Sequence, residues 1–317
     1  MPVWIAPTAF HVLACKDGEI ATAKGAEAAG VGYCYNWMLS SKHHKEVFPP
    51  NVQMKKQWLH LYMYEERDLV EASIRAALKT DQFAAIILTC DHPHIRVQNR
   101  MMPFFTTAAM PHANLDDYFF PNQAAVGFDT TTLRQLLDPT KIEGSPGGTN
   151  SSQLSWDDVK WIKSCVPSNM PIVAKGIPTA EDAIRAIDAG IDAIVVSNHG
   201  GRQYDIAVPA MKALPVIAAV VAGRVPILVD SGIRTSGDIV KALCLGTSGV
   251  MLGRPPLWAL ACGGAPALEQ MLETLKQDLK DDLRSLGVTS THDLGLYRLW
   301  APDRKRIKTI VQACIDS

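Results

Sequence analysis

The 317-residue sequence predicts an α/β fold: a (β/α)8 TIM barrel with a long loop after the fourth strand and extra C-terminal helices. Three observations carry that expectation. Short apolar, β-branched runs alternate with longer stretches of helical period along most of the chain. The strand–helix units number eight, the count that closes a parallel sheet into a barrel. The competing architecture, a doubly wound open sheet, carries a glycine fingerprint near its first turn when it binds a dinucleotide, and none is present. At ~150 residues per domain the length would also allow two domains, but one barrel of ~250 residues plus insertions accounts for it. Residues 1–317 are therefore read as a single barrel domain.

The strands are expected at 3–6, 32–35, 58–62, 85–89, 172–175, 193–197, 227–230 and 249–252, where β-branched and apolar residues cluster. Helices are expected between them at 19–29, 40–47, 66–79, 155–166, 179–189, 208–222 and 236–245, with a further one starting near 255. Ser155 and Thr179 read as N-caps, because Asp157, Asp158, Glu181 and Asp182 follow them in the first turn. The spacing breaks once. The fourth and fifth strands lie about 80 residues apart, against about 18 to 30 elsewhere, as a βα unit requires. The surplus, 99–153, is rich in Pro, Phe, Met, Gly, Thr and Asn and reads as a lid over the barrel mouth. The C-terminal helical region, 264–317, repeats leucine at 268, 272, 275, 279, 283 and 286, the stripe of a helix docked on the barrel rather than a coiled-coil seam.

Composition excludes several classes. Hydrophobic residues at 47% and charged ones at 20% exclude a disordered chain. Thirty-one Lys and Arg against 32 Asp and Glu leave a net charge of -1, with no basic excess for nucleic acid. Arg304-Lys305-Arg306 reads as a solvated helix end. The longest apolar run, 216–222, is far short of the ~20 residues that cross a bilayer. Seven dispersed cysteines without a CxxC, and no secretory or peroxisomal signal, point to a soluble intracellular protein. Self-association is left open by the sequence.

The chemistry concentrates at strand ends. Ser197-Asn198-His199-Gly200-Gly201-Arg202-Gln203 follows the sixth strand, pairing a histidine suited to general-base work with an arginine suited to a carboxylate. Lys175 ends the fifth strand. Asp230-Ser231-Gly232-Ile233-Arg234 follows the seventh and Gly253-Arg254-Pro255 the eighth, the place where barrels receive a phosphate group.

With Ala6-Pro7-Thr8-Ala9, Leu61-Tyr62, Leu88-Thr89 and Asp91, these segments resemble the FMN-dependent α-hydroxy-acid oxidase and dehydrogenase family, over nearly the whole chain. The resemblance implies FMN as cofactor, an (S)-2-hydroxy acid oxidised to the 2-keto acid, and O2 reduced to H2O2. It implies a catalytic set of His199 as the base, Asp91 orienting it, Tyr62, and Lys175 beside the flavin, with Arg202, His199, Tyr62, Trp37 and Arg96 binding the substrate. Pro7, Thr8, Ala9, His60, Thr89 and Ser197 would contact the flavin ring; Asp230, Ser231, Gly232, Ile233, Arg234, Gly253 and Arg254 would hold ribityl and phosphate.

Three positions and the N-terminal region depart from the family pattern. His60 stands where a glutamine is usual, and Tyr35, two residues before Trp37, replaces a small serine and is expected to crowd the flavin. Gln98 aligns with a second substrate-binding arginine, leaving Arg96 as the candidate. The first strand begins near Pro2, so the family's N-terminal segment, with its active-site tyrosine, has no counterpart in these residues. These departures keep open an FMN-binding relative with little catalysis, and a flavin-free barrel lyase or isomerase.

Overall fold

A computed structural model of the chain describes residues 1–49, 57–64, 67–92, 122, 154–203 and 206–295. Eight parallel strands close a barrel in sequence order: β1 (Val3–Ile5), β2 (Gly32–Asn36), β3 (Gln57–Leu61), β4 (Phe83–Thr89), β5 (Ile172–Ile177), β6 (Ala193–Val196), β7 (Ile227–Val229) and β8 (Gly249–Leu252). Closure is made by β8 on β1, with Val3, Trp4 and Ile5 opposite Val250, Met251 and Leu252. The helices among the described residues are α1 (Gly18–Ala28), α2 (His44–Val47), α3 (Arg67–Leu78), α4 (Trp156–Cys165), α5 (Ala180–Asp188), α6 (Ala210–Val221), α7 (Ser236–Cys244) and α8 (Arg254–Ser285). None of them is long and apolar enough to cross a membrane.

Strand alternation sorts side chains into two cores. Outward residues join the helices in one large apolar layer. Inward residues fill the barrel: Cys34, Ala85, Ile87, Val173, Val195, Leu228 and Met251 pack together with Ala6 and Ala193, and Trp4 and Trp58 lie against them. The helix starts follow their caps. The Thr179 and Thr235 hydroxyls accept from Asp182 N and Asp238 N, and Asp158 accepts from Ser155 N while also pairing with Arg67 of α3 at 2.6 Å. In α8, Leu268, Leu272, Leu275 and Leu279 are buried, and Leu268 presses on α1 where a Cβ at Gly25 would lie 3.0 Å from its side chain. The leucine stripe thus docks on the barrel's helix layer. Gly263 and Gly264 break α8 internally, Gly264 at φ 64.

Two expectations are corrected. The helix expected at 40–47 covers only His44–Val47, because Ser41 gives both its amide and its hydroxyl to Glu19 of α1 and His43 caps the shortened helix. Tyr35 does not crowd the barrel mouth. Cys34 faces inward, so Tyr35 faces out, where its ring meets Phe48 at 5.0 Å and its hydroxyl donates to Lys42 O. The lid expected at 99–153 lies outside the described residues except for Asn122, which bonds His44 N, Tyr35 OH and Trp37 O.

The barrel floor sets a packing limit. Trp4 lies over Gly32 and Gly249, and a Cβ on Gly32 would come within 2.3 Å of the indole. Gly32→Ala is expected to destabilise the protein by about 1–3 kcal/mol, the usual cost of overpacking. Chemical denaturation checks this; an unchanged midpoint would mean that the indole moves aside freely.

Candidate active site

One alternation step above the apolar plug, the inward positions turn polar. Asn36 of β2 sits opposite His60 of β3, and Thr89, Lys175, Ser197 and Asp230 continue the layer around β4 to β7. All six are buried. A buried polar layer is tolerated when its groups find partners; here Lys175, Asp230 and Ser197 pair across strands, as do His60 and Thr89, and Asn36 accepts from Leu39 N. Lys175 Nζ lies 3.2 Å from Asp230 Oδ2 and donates to Ser197 Oγ at 3.3 Å. His60 Nε2 meets Thr89 Oγ1 at 2.7 Å.

Above this layer stand the groups with chemistry. His199 Nδ1 is 2.9 Å from Asp91 Oδ1. The Asp91 carboxylate reaches that place because Gly176, at φ 100 where β5 changes register, has no side chain; a Cβ there would lie 2.4 Å from Asp91 Cγ. Tyr62, two residues beyond His60, stands edge-on to it at 4.7 Å, and the His92 ring lies 5.5 Å from Tyr62 and 5.7 Å from His199. Gln203 hydrogen-bonds His92 Nδ1, so two adjacent contacts, Asp91–His199 and His92–Gln203, tie the β4 and β6 loops together.

The electrostatics follow from burial around one cation. Burial alone would lower the Lys175 ammonium, but Asp230 and Asp91 more than offset it and hold its pKa above 10.5, so it is charged. Burial pushes Asp91 up, and Lys175 and the His199 hydrogen bond outweigh that, leaving the carboxyl below its usual range and ionised. His199 is lowered from 6.5, first by burial and then by Lys175, against an upward pull from Asp91. At neutral pH its imidazole is therefore neutral. With Nδ1–H donated to ionised Asp91, Nε2 carries the lone pair. Burial likewise keeps His60 well below 6.5, lowers His92 to about 4, and raises Tyr62, so all three are uncharged.

A cleft opens beside this cluster between the ends of β1, β6, β7 and β8. Pro7, Thr8, Lys175, His199 and Arg202 line one side. Asp230, Ser231, Gly232, Ile233, Arg234, Gly253 and Arg254 line the other. Gly232 (φ 106) and Gly253 leave open space where a Cβ would stand, so the backbone there can approach a bound group closely. Arg234 and Arg254 bring cations to that cradle, although Arg254 Nη2 also donates to Gly200 O at 3.0 Å.

Most of the site residues expected from the sequence thus converge. His60, Thr89 and Ser197 form the layer beneath the cleft, Tyr62 and Asp91 stand beside it, and Ala9 continues the β1 loop after Thr8. Trp37 does not join them. It is buried in the outer layer, stacked on His44 at 4.6 Å and edge-on to Phe83, because the chain leaves β2 outward after Asn36. Arg96 and Gln98 lie outside the described residues. Sequence reasoning missed Asn36, His92 and Gln203. Counting alternation from Cys34 would have found Asn36; no local signal marks the His92–Gln203 contact.

A profile of the FMN-dependent dehydrogenase family matches residues 1–301. The L-lactate oxidase of Nostoc sp. is 36% identical over 305 residues, covering 93% of this chain and 78% of that protein. Glycolate oxidase 1 of Oryza sativa subsp. indica is 34% identical over 300 residues, covering 93% and 76%. The crystal structure of mandelate oxidase with (S)-4-hydroxymandelic acid superposes with a TM-score of 0.78 at 34% identity, covering 93% of this chain and 80% of that one.

Since Asp91 is what raises the His199 pKa, Asp91→Asn is expected to lower it further. An NMR titration of the His199 imidazole checks the sign; an unchanged or higher midpoint would show that the carboxylate does not act on this ring.

Proposed function

The chain belongs to the FMN-dependent dehydrogenase family, and on that premise we propose that it oxidises an (S)-2-hydroxy acid to the 2-keto acid with O2 as the final acceptor. The observation that carries the reading is the neutral, Asp91-bound His199 set 5.7 Å from His92 and three residues before Arg202, at the edge of a cleft floored by a charged lysine.

The residues present fit FMN. The open backbone at Gly232 and Gly253, with Arg234 and Arg254, suits a phosphate and its ribityl chain. The Lys175 ammonium lies in the cleft floor, where a fixed positive charge favours a reduced, anionic ring. The buried His60 Nδ1 has no hydrogen-bond partner among the described residues and is available to a polar edge of that ring. The chemistry that bound FMN supplies is acceptance of two electrons from the substrate and their passage to O2, which leaves as H2O2.

The chain's own groups do the rest. The Arg202 guanidinium captures the substrate carboxylate with its two-pronged fork, which fixes the substrate in the cleft. Tyr62, protonated at working pH, offers its hydroxyl as a hydrogen bond to the substrate's polar end. His199 Nε2 takes up the proton the substrate gives up. Asp91 holds the ring in the required tautomer and stabilises the imidazolium that results, which is why the carboxylate must itself stay ionised. Six described cysteines all carry free thiols, which supports a reducing compartment.

The purified protein is expected to be yellow and to bleach when mixed anaerobically with a hydroxy acid from a panel spanning glycolate, lactate and mandelate. His199→Ala is expected to keep the flavin and lose the bleaching. No bleaching of the wild-type protein by any member would overturn the activity; undiminished bleaching of the variant would remove His199 as the base.

A further inference from the structure

The turn that carries His199 is held by hydroxyl groups. Three successive backbone amides, those of Asn198, His199 and Gly200, point at two serines. Ser231 Oγ accepts from Asn198 N at 3.2 Å and from Gly200 N at 3.0 Å. Ser197 Oγ accepts from His199 N, between them, at 3.0 Å. The Ser231 hydroxyl in turn donates to Asp230 Oδ1 at 2.6 Å, while the other oxygen of that carboxylate faces Lys175.

A serine hydroxyl has one proton to give and two lone pairs to receive. In Ser231 the proton goes to Asp230, and the lone pairs go to the two amides that bracket His199. Its capacity is spent inside the protein. The 3.5 Å approach of Ser197 Oγ adds at most a long fourth contact. A hydroxyl in this state has nothing left for a ribityl or phosphate oxygen, although Ser231 lines the same cleft.

The backbone points the same way. His199 at φ 57 and Ser231 at φ 69 both occupy the left-handed region that disfavours side chains. Such conformations persist when surrounding contacts over-determine them, and here each strained residue is locked by the other's turn. The structure therefore assigns to Ser231, on the reading that His199 is the base, a positioning role. Its hydroxyl staples the β6 turn to the end of β7 and so fixes His199, and it does not hold the cofactor.

Two variants of the FMN-loaded enzyme test this. Ser231→Gly removes the hydroxyl while relieving the strain at φ 69, so folding is preserved or improved. Ser231→Ala removes it and keeps the Cβ. In both, the FMN dissociation constant is expected to stay within about twofold, while the limiting rate of flavin reduction per bound flavin falls by about tenfold or more. Hydrogen exchange supplies a readout that needs no substrate: the amides of Asn198 and Gly200 are expected to exchange about tenfold faster or more in Ser231→Gly, with those of β6 unchanged. Weaker FMN binding with an unchanged reduction rate would make Ser231 a cofactor ligand and overturn the assignment. Unchanged amide protection would overturn it as well, whether or not any hydroxy acid proves to be a substrate.

Discussion

One buried ammonium organises the barrel mouth. Lys175 is 3% exposed, and a cation taken so far out of water costs several kcal/mol unless it is paired and hydrogen-bonded. Asp230 and Ser197 meet that requirement directly, and Asp91 adds to it through its charge. Their positions are then no longer independent. Asp230 must stand at the end of β7, which places Ser231 next to it. Asp91 must stay ionised within reach of the lysine, which places a hydrogen-bond acceptor beside His199. Burial, and after it the same charge, depresses His60 and His199. Burial first and the lysine second keep the imidazole neutral, while the lysine keeps the neighbouring carboxylate ionised.

The apolar plug below this layer gives it a close-packed floor. Cys34, Ile87, Val173, Val195, Leu228 and Met251 fill the barrel and leave the polar ring no room to sink. Above it, the site is held by cross-loop hydrogen bonds: Asp91 to His199, His92 to Gln203, and the Ser231 hub. These span β4, β6 and β7, so His199, Asp91 and the turn carrying Arg202 are tied to one another. Gly232 after β7 and Gly253 after β8 add open backbone to the same cleft.

The fold was legible because its signals are local and repeated. The eight strands and all the helices but α2, with caps at Thr179, Thr235 and Ser155, lie within a residue or two of where periodicity put them. The site was legible where function concentrates several unusual residues in one turn, as at 197–203 and 230–234. Legibility failed where a partner is distant in sequence. The start of α2 is set by Glu19, 22 residues before Ser41, and the His92–Gln203 bond joins residues 111 apart. Tyr35 and Trp37 were misplaced for a simpler reason. Matching to a family pattern counted back from Trp37, whereas the pleat counts forward from Cys34, and the two disagree about which residue faces the mouth. For Ser231 the sequence shows a hydroxyl at the end of β7 but not that its hydrogen bonds run to Asp230 and to the amides of Asn198 and Gly200.

The central claim is that burial and the Lys175 charge keep His199 neutral and ready to accept a proton in neutral solution. The most direct measurement is the pH dependence of the second-order rate constant for anaerobic flavin reduction at limiting hydroxy acid, which reports ionisations of the substrate-free enzyme. A base lowered from 6.5 must be deprotonated to act, so the rate should climb through a midpoint below 6.5 and stay flat above it. A midpoint above 6.5 would contradict this account, because the carboxylate would then outweigh the lysine and the histidine would be charged in the resting site.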